Sequence, residues 1–212
     1  MKKVMVIFAI IIAMVQVSVF AQKVEFSMSG DVQFSTKNVS TGTGLIFSEE
    51  PAIILHANPS IQYGKWSVTG FYSGHVGLDM RYHIVDILAS YRVNDEISLY
   101  VGPEFTYKDL EGTDAVGAGL VGMMTWNRKS ISSTLIYYTD PHFTIHYVIG
   151  SMSYNITKGV SISGLIAYTN AESTPVYGMV GVKYSKNSFF AGAYYSFRKD
   201  APGPFFQVGI KF

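Results

Sequence analysis

Residues 24–35 read Val24-Glu25-Phe26-Ser27-Met28-Ser29-Gly30-Asp31-Val32-Gln33-Phe34-Ser35. One face of this stretch is Val, Phe, Met, Gly, Val, Phe; the other is Glu, Ser, Ser, Asp, Gln, Ser. A period of two over twelve residues is that of a β-strand with one apolar and one wet face. A helix would place apolar residues at i, i+3 and i+4, and this segment does not.

The pattern recurs along the chain. Ile97, Leu99, Val101, Pro103, Phe105 and Tyr107 alternate with Ser98, Tyr100, Gly102, Glu104 and Thr106. Val160 to Thr169 and Phe206 to Phe212 alternate in the same way. Weaker versions cover 52–63, 65–76, 81–93, 115–126, 130–139, 142–154, 176–184 and 189–198, which makes twelve expected strands, with ten if two weak ones merge. The glycines of 115–126 blur its period. The parity of 142–154 slips near Gly150, where a bulge is expected. Pro59 and Pro103 each remove a ladder donor and are expected at bulges or strand ends.

The connections alternate in kind. Short turns rich in Gly, Asn, Asp and Ser fall at 63–65, 94–96, 127–129, 157–159 and 185–187. Between them lie mostly longer connections: 36–51, 77–80, 108–114, 139–142, 170–175 and 199–204. One up-and-down hairpin therefore repeats about every thirty residues.

Composition agrees with an extended, lipid-compatible chain. The 212 residues are 48% hydrophobic and only 15% charged; about 25% charged is usual for a soluble domain. That balance is the opposite of disorder. The absence of cysteine excludes disulfide scaffolds, thiolate metal sites and cysteine nucleophiles. A net charge of +1 gives no electrostatic case for nucleic acid. Residues 1–21 read as a secretory signal peptide: Lys2 and Lys3, an apolar run from Val4 to Val15, and a small-residue site ending at Ala21. The run is shorter than the roughly 20 residues of a membrane span, and Gln16 interrupts it. Residues 22–212 then form the mature domain, and losing Lys2 and Lys3 takes its charge from +1 to −1.

Three features separate a membrane barrel from a soluble one. Aromatic residues cluster next to the short turns: Tyr63, Trp66, Tyr91, Trp126, Tyr154, Tyr184 and Phe212. A second set, Phe34, Tyr72, Tyr107, Tyr137, Tyr168 and Phe197, lies toward the opposite ends. Two such belts are what the two membrane–water interfaces select. The apolar face carries almost no charge mid-strand, Arg81 and His83 lying near a loop end. Short turns on one side and longer loops on the other complete the pattern. On these grounds the chain resembles a bacterial outer-membrane β-barrel, and the final strand Phe205 to Phe212, ending in an aromatic residue, resembles the signal read by the outer-membrane assembly machinery. The resemblance implies an all-β, single-chain, antiparallel up-and-down barrel with both termini on the periplasmic, short-turn side, in contact with outer-membrane lipid and lipopolysaccharide.

Charge is partitioned. The short turns carry Lys65, Arg128, Lys129, Lys158 and Lys186 against Asp95 and Glu96. The longer loops carry Lys37, Lys108 and Lys199 against nine acidic residues, from Glu49 to Asp200. An acidic rim would bind divalent cations or bias a pore toward cations; ordinary solvated loops explain the same pattern.

Parity assigns Glu25, Asp31, His56, Asp86, Arg92, Glu104, His146, Lys183 and Arg198 to the lumen, with His75, His142 and Lys211 as further inward candidates. Twelve strands fall between filled eight-strand barrels and open porins. The expected function is a narrow, weakly selective pore for small polar solutes. Inward Phe71, Tyr100, Tyr138, Tyr177, Phe190 and Tyr194 would instead fill the space, leaving a structural or adhesive barrel whose loops bind a partner. Salt bridges from Asp86 and Glu104 to Arg92 and Lys183 are expected across the lumen. A lipid-modifying or proteolytic enzyme is the third class. Its candidates, Ser73 with His75 and Asp140 with His142, form no recognisable triad: i and i+2 on a strand stand roughly 6.5–7 Å apart, too far for rigidly parallel side chains to bond. His142 and His146, roughly 13 Å apart on a strand, cannot share a metal. No catalytic residue, metal or cofactor is expected.

Overall fold

The computed structural model describes residues 24–39, 47–48, 50–77, 80–110, 113–170, 176–198 and 202–212. The expected signal peptide lies outside the described residues, as do residues 40–46 and 49 of loop 36–51 and residues 171–175 and 199–201.

Among the described residues fourteen strands follow one another: β1 (Val24–Ser35), β2 (Asn38–Val39), β3 (Phe47–Ser48), β4 (Ala52–Tyr63), β5 (Trp66–Gly77), β6 (Met80–Arg92), β7 (Ile97–Leu110), β8 (Thr113–Arg128), β9 (Ile131–Thr139), β10 (His146–Asn155), β11 (Val160–Thr169), β12 (Val176–Lys186), β13 (Phe189–Ser196) and β14 (Gly203–Lys211). The two-residue strands β2 and β3 form a separate ribbon. The other twelve form one closed antiparallel barrel in which each strand pairs with its sequence neighbours and β1 pairs with β14. The seam runs from Asp31 opposite Lys211 to Ser35 opposite Gln207. Gly30 and Phe212 extend it by exchanging backbone hydrogen bonds of 3.0 Å. Closure gives every strand of the barrel a partner on both sides, as a bilayer requires, while residues 24–29 of β1 run past the end of β14 and pair on the β4 side.

The short turns tie the hairpins together as their sequences require. Gly64 takes φ +58°, and Lys129 and Asn187 take the same left-handed conformation at 47° and 54°. Asn94 accepts the backbone N–H groups of Glu96 and Ile97, and Thr157 accepts those of Gly159 and Val160.

Three local expectations are corrected. The β10 ladder runs without a bulge from Tyr147 to Asn155 on β11 and from His146 to Tyr154 on β9. Its parity blurs because inward Tyr147 and Ile149 are themselves apolar. The strand begins at His146, because Asp140 closes the preceding residues into a loop. Pro59 and Pro103 stand mid-strand, not at bulges or ends. The β4–β5 pairing lapses between Ala57–Tyr72 and Ser60–Thr69, and the β6–β7 pairing between Asp86–Glu104 and Ala89–Val101. The same number of residues spans both sides of each gap, so each proline costs ladder bonds without changing the register.

The outward face is apolar over its height: Val32, Ile53, Val68, Val101, Ile166, Val180 and Val208 are all exposed. Of the described side chains on it, the permanently charged ones are Arg81, Arg128 and Lys186, each within two residues of a strand end. An Arg or Lys at mid-height facing lipid would cost roughly 2–4 kcal/mol. Tyr63, Trp66, Tyr91, Trp126, Tyr154, Tyr184 and Phe212 all stand on this face at the short-turn end. Trp66 and Tyr91 pack at 4.7 Å between ring centroids. The Trp126 indole donates to Glu96, whose other carboxylate oxygen lies 3.5 Å from Arg128.

Candidate pore

The wet faces of the strands converge on the lumen, which divides into two unlike regions. On the short-turn side is a cavity of about 470 Å³. Seven hydroxyls line one side of it, from Ser132 and Thr134 on β9, Ser151 and Ser153 on β10, Ser161 and Ser163 on β11, and Ser185 on β12. These are the small polar residues that alternate with the lipid-facing ones. Toward the loop side the inward residues turn apolar: Val121, Ile136, Ile149, Tyr177 and Phe205 are buried together in one cluster.

Asp31, His56, Lys183 and Lys211 line the cavity. Asp31 and His56 are directly opposed across β1 and β4, and the His56 ring lies 2.9 Å from the Asp31 carboxylate through Nδ1. Lys183 and Lys211 converge on the Phe190 ring, their ammonium groups 4.3 and 5.7 Å from its centroid. The Phe190 ring in turn lies over Gly209, where a Cβ would stand 2.6 Å from it. Among the described residues no carboxylate forms an ion pair with either lysine. Lys211 stands opposite Asp31, but His56 engages that carboxylate. The result is a polar chamber with two ammonium groups at one wall.

The other lumen candidates are dispersed. Asp86 and Glu104 sit directly opposite each other on β6 and β7, both buried. The expected bridges to Arg92 and Lys183 do not form. The Arg92 guanidinium donates to Gln62 near the short-turn rim, 3.2 Å away, while Lys183 is held over Phe190. Glu25 is exposed at the same rim. Arg198 is buried with its guanidinium 5.2 Å from the Tyr177 ring centre. His146 stands on the outward parity instead of the lumen. It stacks on exposed Tyr137, whose hydroxyl is 2.8 Å from its Nδ1.

The two serine–acid–histidine candidates also differ from expectation. The Ser73 hydroxyl and His75 Nε2 do share a hydrogen bond, at 2.9 Å. Parallel side chains would not reach, but rotation about χ1 and χ2 lets these two lean together along the strand. Both are packed in the barrel wall, 7% and 0% exposed, so a substrate has no open approach to the hydroxyl. Asp140 binds loop backbone: its carboxylate accepts the N–H groups of Thr144 and Ile145 at 2.6 and 2.7 Å and the Thr144 hydroxyl at 2.8 Å. It meets His142 only through that residue's backbone N–H. These bonds, that from Ile145 foremost, hold the Asp140 carboxyl down to about 2.

No family model and no curated protein matches the chain. Solved structures do. The KdgM porin shares 13% sequence identity over 87% of this chain and 98% of its own, with a TM-score of 0.58. The KdgM porin in complex with disordered oligogalacturonate gives 11%, 87%, 98% and 0.56. The NanC porin gives 10%, 86%, 98% and 0.54. At such identities the likeness concerns the path of the chain. This protein has the closed twelve-strand barrel fold seen in bacterial outer-membrane porins.

Proposed function

We propose that this barrel is a narrow, weakly selective pore for small polar solutes in the bacterial outer membrane. The observation that carries the proposal is the hydroxyl-lined chamber of about 470 Å³ inside a barrel whose outside is apolar. A barrel kept only as a structural anchor has no need of a wet interior, and its lumen is usually filled by side chains. The burial of Ser73 and His75, and the use of Asp140 to bind loop backbone, weigh against catalysis.

The chamber also favours a sign of charge. Lys183 and Lys211 place two ammonium groups beside a single aromatic ring, and the nearby Asp31 is engaged by His56. Solutes bearing a carboxylate or phosphate are therefore favoured at the short-turn side over cations. The acidic residues of the loops act in the opposite sense at the other mouth, so the overall preference is modest. The structure of the KdgM porin in complex with disordered oligogalacturonate supports this choice by analogy of fold.

Proteoliposome swelling tests the proposal. Vesicles carrying folded protein swell in small neutral and carboxylated sugars faster than empty vesicles. Swelling no faster than that of empty vesicles in every solute contradicts it.

A further inference from the structure

The polar chamber ends at a ceiling of Leu165, Met179 and Tyr194. All three are buried, and they belong to the apolar cluster that continues through Ile149, Val121 and Phe205 to Leu88 on the far wall. Its members come from β6 and from β8 to β14 and are all buried, so their side chains close the lumen at this level as a septum. An ion entering it would give up hydration water for a surface that is mainly apolar, its polar groups being the hydroxyls of Tyr138, Tyr177 and Tyr194 and the Gln207 amide at its edge, and mainly apolar constrictions shut channels in this way.

The edge of the septum facing the chamber combines a flexible residue with a fixed one. Met179 is flexible and unbranched. Tyr194 lies flat on the wall: a Cβ on Gly181 would stand 2.1 Å from its ring and one on Gly192 2.4 Å. On its other side it stacks on Phe205, with 5.1 Å between centroids and 16° between planes. The two glycines thus form a seat that fits one ring position, and any larger residue there pushes the ring toward the lumen axis.

We propose that this septum is the gate of the pore, shut to ions in the conformation described, and that Leu165 and Met179 swing aside from the seated Tyr194 to open it. The gate presupposes the pore proposed above. The test is single-channel recording in planar bilayers on wild type, the double variant Leu165→Ser/Met179→Ser, and Tyr194→Ala, each first checked for the folded gel mobility of an intact barrel. Met179→Gln stands in for any variant that fails that check.

The wild type is expected to dwell closed with brief openings. Hydrating or removing the septum edge is expected to raise the time-averaged current by about tenfold or more, as a barrier lower by about 1.4 kcal/mol would give. A wild type that conducts continuously, with variants within about twofold of it, overturns the gate and leaves the pore standing. Absence of current from the wild type and every folded variant overturns both.

Discussion

Tyr138 on β9 lies across Gly119 on β8: a Cβ placed on that glycine would stand 2.2 Å from the Cε2 of the ring. The contact explains how a barrel of this size holds so many inward aromatic rings. Tyr194 lies over Gly181 and Phe190 over Gly209 in the same way. Gly119→Ala is expected to destabilise the barrel by about 1–3 kcal/mol, the usual range for overpacking. Gly122→Ala on the same strand, with nothing within 4 Å of its Cβ, should be neutral or slightly stabilising. The midpoint of the heat-induced gel mobility shift measures both, and equal midpoints would contradict the seat.

The outward face is expected to behave as a lipid surface. Val101, 62% exposed at mid-height of β7, should tolerate Val101→Ala but lose roughly 2–4 kcal/mol on Val101→Arg when refolded into bilayers. Tyr63→Arg, at the short-turn rim, should cost about 1 kcal/mol or less. Equilibrium refolding into phosphatidylcholine vesicles distinguishes the two. Equal, small costs would mean that this face meets water.

The Asp140 loop carries a pH signature. Its carboxyl is held at about 2 against an ordinary 3.8 by the Ile145 and Thr144 N–H groups. A depressed value in the folded state means that the carboxylate supports the loop above pH 3.8 and loses that support as pH falls through about 2. Protection of the Thr144 and Ile145 amides from hydrogen exchange, corrected for intrinsic rate, should therefore persist at pH 4 and vanish toward pH 2. In Asp140→Ala it should be absent at both.

Much of this architecture is legible in the sequence, and the exceptions share a cause. Alternation identifies a strand only where its two faces differ. In 24–35 and 160–169 lipid and chamber impose opposite chemistries, and the strand ends match the expected ones. On β10 both faces are apolar near Tyr147 and Ile149, because the inner one joins the septum, so the period disappears and the strand start and the inward histidine are misplaced. The septum itself, and the meeting of Lys183 with Lys211 over Phe190, depend on which strands lie side by side. The parity of any one strand carries no such information. The bond between Ser73 and His75 escapes strand geometry because it depends on rotamers.

The two lysines make the pore account specific. Lys183→Glu/Lys211→Glu is expected to reverse the preference of the chamber from anions to cations, and Asp31→Asn to strengthen the anion preference modestly. Reversal potentials under a salt gradient report both. An unchanged reversal potential in the double variant would show that ions do not pass these side chains.

The most direct measurement of the central claim is the conductance of purified, heat-modifiable wild-type protein in a planar bilayer under a potassium chloride gradient. A pore of this build gives discrete openings with a modest anion preference. Folded protein that inserts but never conducts, under any voltage or salt, would contradict it.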